Sequence, residues 1–143
     1  MKKDIYVKQS LINRFLELNE FSQVNFITED NVCLPNKSFK QPTDTLFFVL
    51  HFLDDEPEEV GLYNKEQERY TGFLQIDICT PLNVGEDEAD DVYSFICGLF
   101  DVGSVIDEDT TVNKVCRVQT VAEKDYYKSV VRVYFTADVN NAE

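Results

Sequence analysis

A chain of 143 residues suits one domain, in which a single core buries roughly two-thirds of the surface that the unfolded chain exposes. Apolar residues make up an ordinary 43%, but 13 basic residues against 27 acidic ones leave a net charge of −14. So anionic a surface repels nucleic-acid phosphates and anionic membranes, which excludes a protein that grips DNA while allowing one past which DNA slides.

In chain order, the opening residues MKKDIYVKQS lack the apolar stretch of a signal peptide. Asp4 can cap a helix predicted over residues 4–19, with Ile5, Leu11, Ile12, Phe15, Leu16 and Leu18 on its apolar face and Arg14 and Glu17 toward water. Residues 21–32 are polar with scattered aromatics, and a short strand is expected over residues 24–27. Residues 34–45 carry Pro35, Lys37, Lys40 and Pro42 without a helical period, which reads as a loop or extended arm. The run LFFVLHFL, residues 46–53, is the most apolar in the chain and predicts a strand buried on both faces. His51 within it is expected to be a packed or hydrogen-bonded core residue, because there is no second histidine to share a metal. The acidic run DDEPEE, residues 54–59, must be solvated. With residues 60–68 it forms a long link between two strands that are expected to pair as neighbours.

Residues 69–100, RYTGFLQIDICTPLNVGEDEADDVYSFICGLF, organise the rest. Tyr70, Gly72, Leu74, Ile76 and Ile78 share one face of a strand, and Thr71, Phe73, Gln75, Asp77 and Cys79 share the other. Pro81 cannot donate to a ladder and ends it. After a loop over residues 82–85 the period changes. Ala89, Val92, Tyr93, Ile96, Leu99 and Phe100 make one helical stripe, behind first turns crowded with Glu86, Asp87, Glu88, Asp90 and Asp91. Carboxylates there are favoured by the positive end of the helix dipole and by unpaired backbone N–H groups.

Residues 101–109 end that helix, with Gly103 expected in a left-handed conformation. Residues 111–121 have strand composition, and residues 123–127 make a polar turn. Residues 129–137 alternate, with Val131, Val133, Phe135 and Ala137 facing one way and Val130, Arg132, Tyr134 and Thr136 the other. Residues 138–143 are expected to be a disordered tail of the single domain. The order helix, strand, strand, helix, strand, strand predicts an α+β fold. It would be an antiparallel or mixed β-sheet of four to five strands with two main helices packed on it.

No sequence pattern points to catalysis. The carboxylates lie in solvated runs, whereas a general acid needs a desolvated carboxyl with a raised pKa. There is no GxSxG, HExxH, Walker, GxGxxG or calcium-loop pattern. The four cysteines, Cys33, Cys79, Cys97 and Cys116, are far apart and form no CxxC pair, so they read as reduced thiols rather than a zinc site or disulfide framework. No window reaches the about 18 apolar residues of a membrane span.

The central unit resembles the tail terminator proteins of long-tailed bacteriophages, the lambda-type minor tail proteins and their relatives. The likeness lies in the order and spacing of Arg69, Gly72, Gln75, Asp77, Pro81 and Gly85, followed by an amphipathic helix over residues 91–100 that ends in an aromatic, Phe100. It extends to the amino-terminal helix, the apolar strand and the last strand VVRVYFTAD, nearly the whole chain. The chain departs from the pattern at the helix entry, where EDEADD stands in place of a segment that is often Gly/Ala-rich and less acidic.

The resemblance implies a non-enzymatic structural role without cofactor or metal. A hexameric ring would sit on the last ring of the tail tube, stop its growth and meet the head-completion or neck protein. DNA would pass through without specific binding. The place implied is the tail–neck junction of the virion, after assembly in the host cytoplasm, with no membrane contact. A duplex carries one charge per ~1.7 Å of axis, so an anionic lining keeps it moving. Candidate lining residues are Asp54, Asp55, Glu56, Glu58 and Glu59, then Glu86, Asp87 and Glu88, then Asp107, Glu108 and Asp109. Ring closure needs a heterologous contact, for which the arm and the long link are candidates through Phe39, Lys40, Tyr63 and Arg69. The alternatives are an acidic DNA mimic that inhibits a nucleic-acid enzyme, a neighbouring neck or head-completion protein, and a small-ligand module or enzyme built around His51.

Overall fold

The computed structural model describes residues 4–35, 37–54, 58–59, 67–107 and 109–140. Helices α1 (Asp4–Phe15) and α2 (Leu18–Ser22) lead into strands β1 (Val32–Cys33) and β2 (Phe47–Asp54). Strand β3 (Glu58–Glu59) precedes β4 (Gln67–Thr80), which is followed by helix α3 (Asp87–Leu99). Strands β5 (Val105–Ile106), β6 (Thr110–Ala122) and β7 (Tyr127–Asn140) complete the described chain.

The fold is α+β, and its described strands form one mixed sheet in the order β1-β2-β4-β7-β6-β5. Strand β3 pairs with β4 on the β2 side. Among the described strands only β1 and β2 run parallel, and every other pair is antiparallel. Seven strands exceed the four to five expected. The additions β1, β3 and β5 are two residues each, too short to leave a period in the sequence.

The helices cover one face. Side chains of α1 (Val7, Leu11, Phe15), α2 (Leu18) and α3 (Ala89, Val92, Ile96, Leu99) share a buried cluster with Phe48, Leu50, Leu74, Ile76, Ile78, Val131, Val133 and Phe135 of the sheet. Phe15 meets Phe48 edge-on at 5.2 Å. Fully burying side chains of this size stabilises by roughly 1.5–3 kcal/mol each, so this face holds the fold together. The faces expected for β4, α3 and β7 are the observed ones, and β4 stops at Thr80, before Pro81.

Other expectations need correction. The first helix is two pieces, because Glu17 N–H bonds back to Arg14 O in a tightened turn and leaves Leu16 exposed. The redirected α2 lays the Phe21 ring against Gly98 of α3, where a Cβ would sit 2.9 Å from it. Residues 24–27 form no strand. The Asn19 side chain pairs with both the N–H and the C=O of Ile27 and takes the place of a partner strand. Strand β2 is buried on both faces only at its start, where Phe47 and Phe48 are both covered. Phe48 and Leu50 enter the core, whereas Leu53 is 60% exposed and His51 lies half in solvent. A run of apolar letters therefore concealed a period of two. Gly103 does adopt a left-handed φ of +89°, but in the turn after the helix, where its N–H bonds Val112 O. Strand β7 continues to Asn140, three residues into the segment expected as a tail.

Candidate assembly surfaces

The sheet face turned away from the helices is ordered by strand register into four cross-strand rows. Leu53, Phe73, Tyr134 and Lys114 form the first, and His51, Gln75, Arg132 and Cys116 the second. Val49, Asp77, Val130 and Gln119 form the third, and Phe47, Cys79, Lys128 and Val121 the fourth. A bulge in β6 between Val112 and Lys114 brings Lys114 onto this face.

The last two rows are closed over. The arm ring Phe39 lies 6.0 Å from Phe47, and Tyr126, from the turn before β7, meets Phe47 edge-on at 5.2 Å. Asp77 is thereby buried at 5% exposure with Cys79 at 1%. The Asp77 carboxylate accepts from Gln75 Nε2 at 3.1 Å and lies 3.2 Å from His51 Nε2. Gln75 Oε1 in turn accepts from Arg132 Nε at 3.2 Å. Burial, and then the Asp77 charge, push the Cys79 thiol up to about 12. Burial alone pulls the Lys128 ammonium down, but Asp77 and a Glu123 carboxylate 3.4 Å away outweigh it and raise its pKa. His51 is thus tied to a buried carboxylate. No group of three metal-ligating side chains occurs among the described residues, and no helix among them is long and apolar enough to cross a membrane.

The first two rows stay open. Arg132 stacks its guanidinium 4.4 Å over Phe73, Lys114 sits 6.0 Å over Tyr134, and the two rings meet edge-on at 5.4 Å. Around them lies a shallow, mostly apolar hollow of about 300 Å³ that includes Leu53. This cation–aromatic face escaped the sequence reading. Alternation in VVRVYFT places Arg132 and Tyr134 together, but only register shows that Phe73, Leu53 and Lys114 join them.

The acidic clusters separate to two ends of the sheet. Glu58 pairs with Arg69, Arg69 with Asp138, and the Asp138 N–H bonds Asp109 O. Residues 58–59, Asp107 and Asp109 therefore share the end where β4 begins. Asp107 there accepts from Ser10 Oγ at 2.8 Å. Asp54 closes β2 at that same end, while Asp55, Glu56 and Glu108 lie outside the described residues. Glu86, Asp87 and Glu88 occupy the opposite end, where β4 stops and β7 starts. Glu86 accepts from Tyr127 Oη at 2.7 Å and Asp90 from Arg117 at 2.8 Å, while Asp87, Glu88 and Asp91 point into solvent. The loop leading there needs left-handed backbone at Asn83 (φ +64°) and Gly85 (φ +83°).

Of the contact candidates, Lys40 is exposed while Phe39 is half-buried, and both border a hollow of about 640 Å³ between the arm and Glu29–Asp30. Arg69 is forked onto Asp138 at 2.8 and 3.3 Å, and Tyr63 lies outside the described residues. Gly72 stands between Asp54 and Phe135 in the ladder, and its backbone borders the hollow beside Leu53.

A solved protein structure covering 96% of this chain and 96% of its own matches with a TM-score of 0.70 at 13% sequence identity, a likeness that establishes the fold alone. None of the curated proteins matches. The model of the phage tail terminator protein family matches residues 13–135, from the end of α1 into β7, and the chain belongs to that family.

Proposed function

We propose that copies of this protein close into a ring, six-membered as the family resemblance implies, at the head-proximal end of a phage tail tube. The ring stops tube polymerisation and joins the tail to the head-completion or neck protein. Its role is structural rather than catalytic. The observation that carries this reading is the family match over residues 13–135. One or more of the acidic segments 54–59, 86–91 and 107–109 line the lumen and keep a passing duplex from adhering. The gathering of two of them at one end of the sheet supports that assignment. Phe39, Lys40, Tyr63 and Arg69 remain candidates for contact with the next subunit or the tube. The acidic DNA mimic has less support, since the described parts of the three acidic segments collect at two ends instead of running along one face.

The test is mass photometry together with negative-stain images of the purified protein, with and without tail tubes. The expected result is a ring that caps one tube end and halts further addition of tube protein. A protein that stays a single subunit at every concentration and ignores tube ends would overturn the reading. Replacing Glu58, Glu59, Asp107 and Asp109 by lysine is expected to leave rings intact but to slow DNA release from assembled virions. Unchanged release would remove these residues from the lumen.

A further inference from the structure

The open half of the sheet's outer face lacks a partner within the described chain. Lys114 and Arg132 meet no carboxylate among the described residues, although the chain carries 27 acids. The rings they stack on, Phe73 and Tyr134, line an apolar hollow of about 300 Å³ beside the exposed Leu53. Diagonally across the molecule, on the helix side and at the other end of the sheet, stands the converse feature. Val84 projects from the loop before α3 at 60% exposure, and the exposed carboxylates Asp87, Glu88 and Asp91 follow it. One surface is a hollow whose aromatic wall carries two stacked cations, and the other is an apolar knob beside anions. The sheet separates them, so they cannot meet within one chain.

We infer that the α3 entry of one copy docks on the outer sheet face of the next, with Val84 in the hollow beside Leu53 and Phe73 and the carboxylates against Arg132 and Lys114. The contact is heterologous, the type that closes rings. A guanidinium already flattened on an aromatic ring loses little freedom on meeting a carboxylate, and the apolar centre excludes water around the ion pairs. The inference rests on the ring reading above and refines it. The α3 entry becomes the subunit contact, and the acids at the other end of the sheet are left to face the lumen.

Charge exchange tests it. One variant carries Lys114→Glu and Arg132→Glu; a second carries Asp87→Lys, Glu88→Lys and Asp91→Lys; a third carries all five. Each is checked for native circular dichroism and sized against the wild type at low salt. The first two are expected to lose self-association by roughly a hundredfold or more, since each sets like charges face to face. Mixing them is expected to restore assembly, because each supplies the surface that the other needs, and the third variant should assemble alone. A misfolded chain would not recover on mixing. If both single-surface variants assemble like the wild type, the docking is wrong and the ring reading stands. If both fail and neither the mixture nor the third variant recovers, the docking is also wrong. A wild type that never self-associates overturns both readings. Retention of a duplex DNA oligonucleotide by the wild type and not by the first variant would assign the cationic face to DNA and overturn the docking.

Discussion

Replacing Asn31 by alanine probes how residues 23–31 are held without a strand. Asn31 is 6% exposed. Its Nδ2 donates to Phe26 O at 2.8 Å and to Leu46 O at 3.2 Å, and its Oδ1 accepts from Thr28 N at 2.7 Å. Alanine deletes all three bonds and leaves one backbone N–H and two carbonyl oxygens to find other partners. A net hydrogen bond contributes about 0.5–1.5 kcal/mol, and a buried group left unpaired costs about 1–3 kcal/mol. Allowing for some water entry, the loss comes to about 2–4 kcal/mol. That is a large share of the roughly 5–15 kcal/mol by which domains are stable. With a urea slope of about 2 kcal/mol/M, the unfolding midpoint falls by about 1–2 M while the slope is unchanged. Asn31→Asp keeps the acceptor for Thr28 but sets a carboxylate beside two carbonyl oxygens. It should lose at least as much at neutral pH and recover part on acidification, when the new carboxyl becomes a donor. A midpoint for Asn31→Ala within about 0.3 M of wild type would refute the reasoning, for it would mean that chain geometry alone holds the loop.

Two further predictions concern the outer face and the helix entry. Cys79, raised by burial from 9.0 to about 12, should label with thiol reagents only on unfolding, well after Cys33, Cys97 and Cys116, as read by mass spectrometry; native labelling at the rate of the others would contradict the burial. The folded state favours the protonated thiol, so its stabilisation is complete below pH 9.0 and fades as pH rises toward 12. At pH 10 that loss is on the order of 1 kcal/mol, and Cys79→Ala should flatten this part of the alkaline limb in urea titrations. Lys128, with its raised pKa, adds a further loss above its ordinary value of 10.5 that the variant should keep. Arg117 lies 4.6 Å over Tyr93 and bonds Asp90 at 2.8 Å. Arg117→Lys keeps the charge but loses the stacked plane, and is expected to cost about 1 kcal/mol and lower Tm by about 3–5 °C in calorimetry. An unchanged Tm would mean that the stacking contributes nothing.

What the sequence determined by itself is whatever is written as a period or a stop. Strand β4, helix α3 and the inward face of β7 each carry one unbroken alternation or stripe, and Pro81 and Gly85 punctuate them. The α+β class and the family likeness follow from that order. Tertiary structure decided what depends on partners distant in sequence. Strands β1, β3 and β5 exist only because a longer neighbour offers N–H and C=O groups, and Asn19 and Asn31 replace the strand that composition suggested over residues 24–27. His51 and Leu53 sit in an apolar run yet face outward, because the pleat and not the letters sets their direction. The acidic segments look alike in sequence, but the β3–β4–β7 register carries two to one end and the β4–α3 loop carries the third to the other. The cation–aromatic face is assembled from four strands spread over residues 53–134, so only their pairing could bring it together.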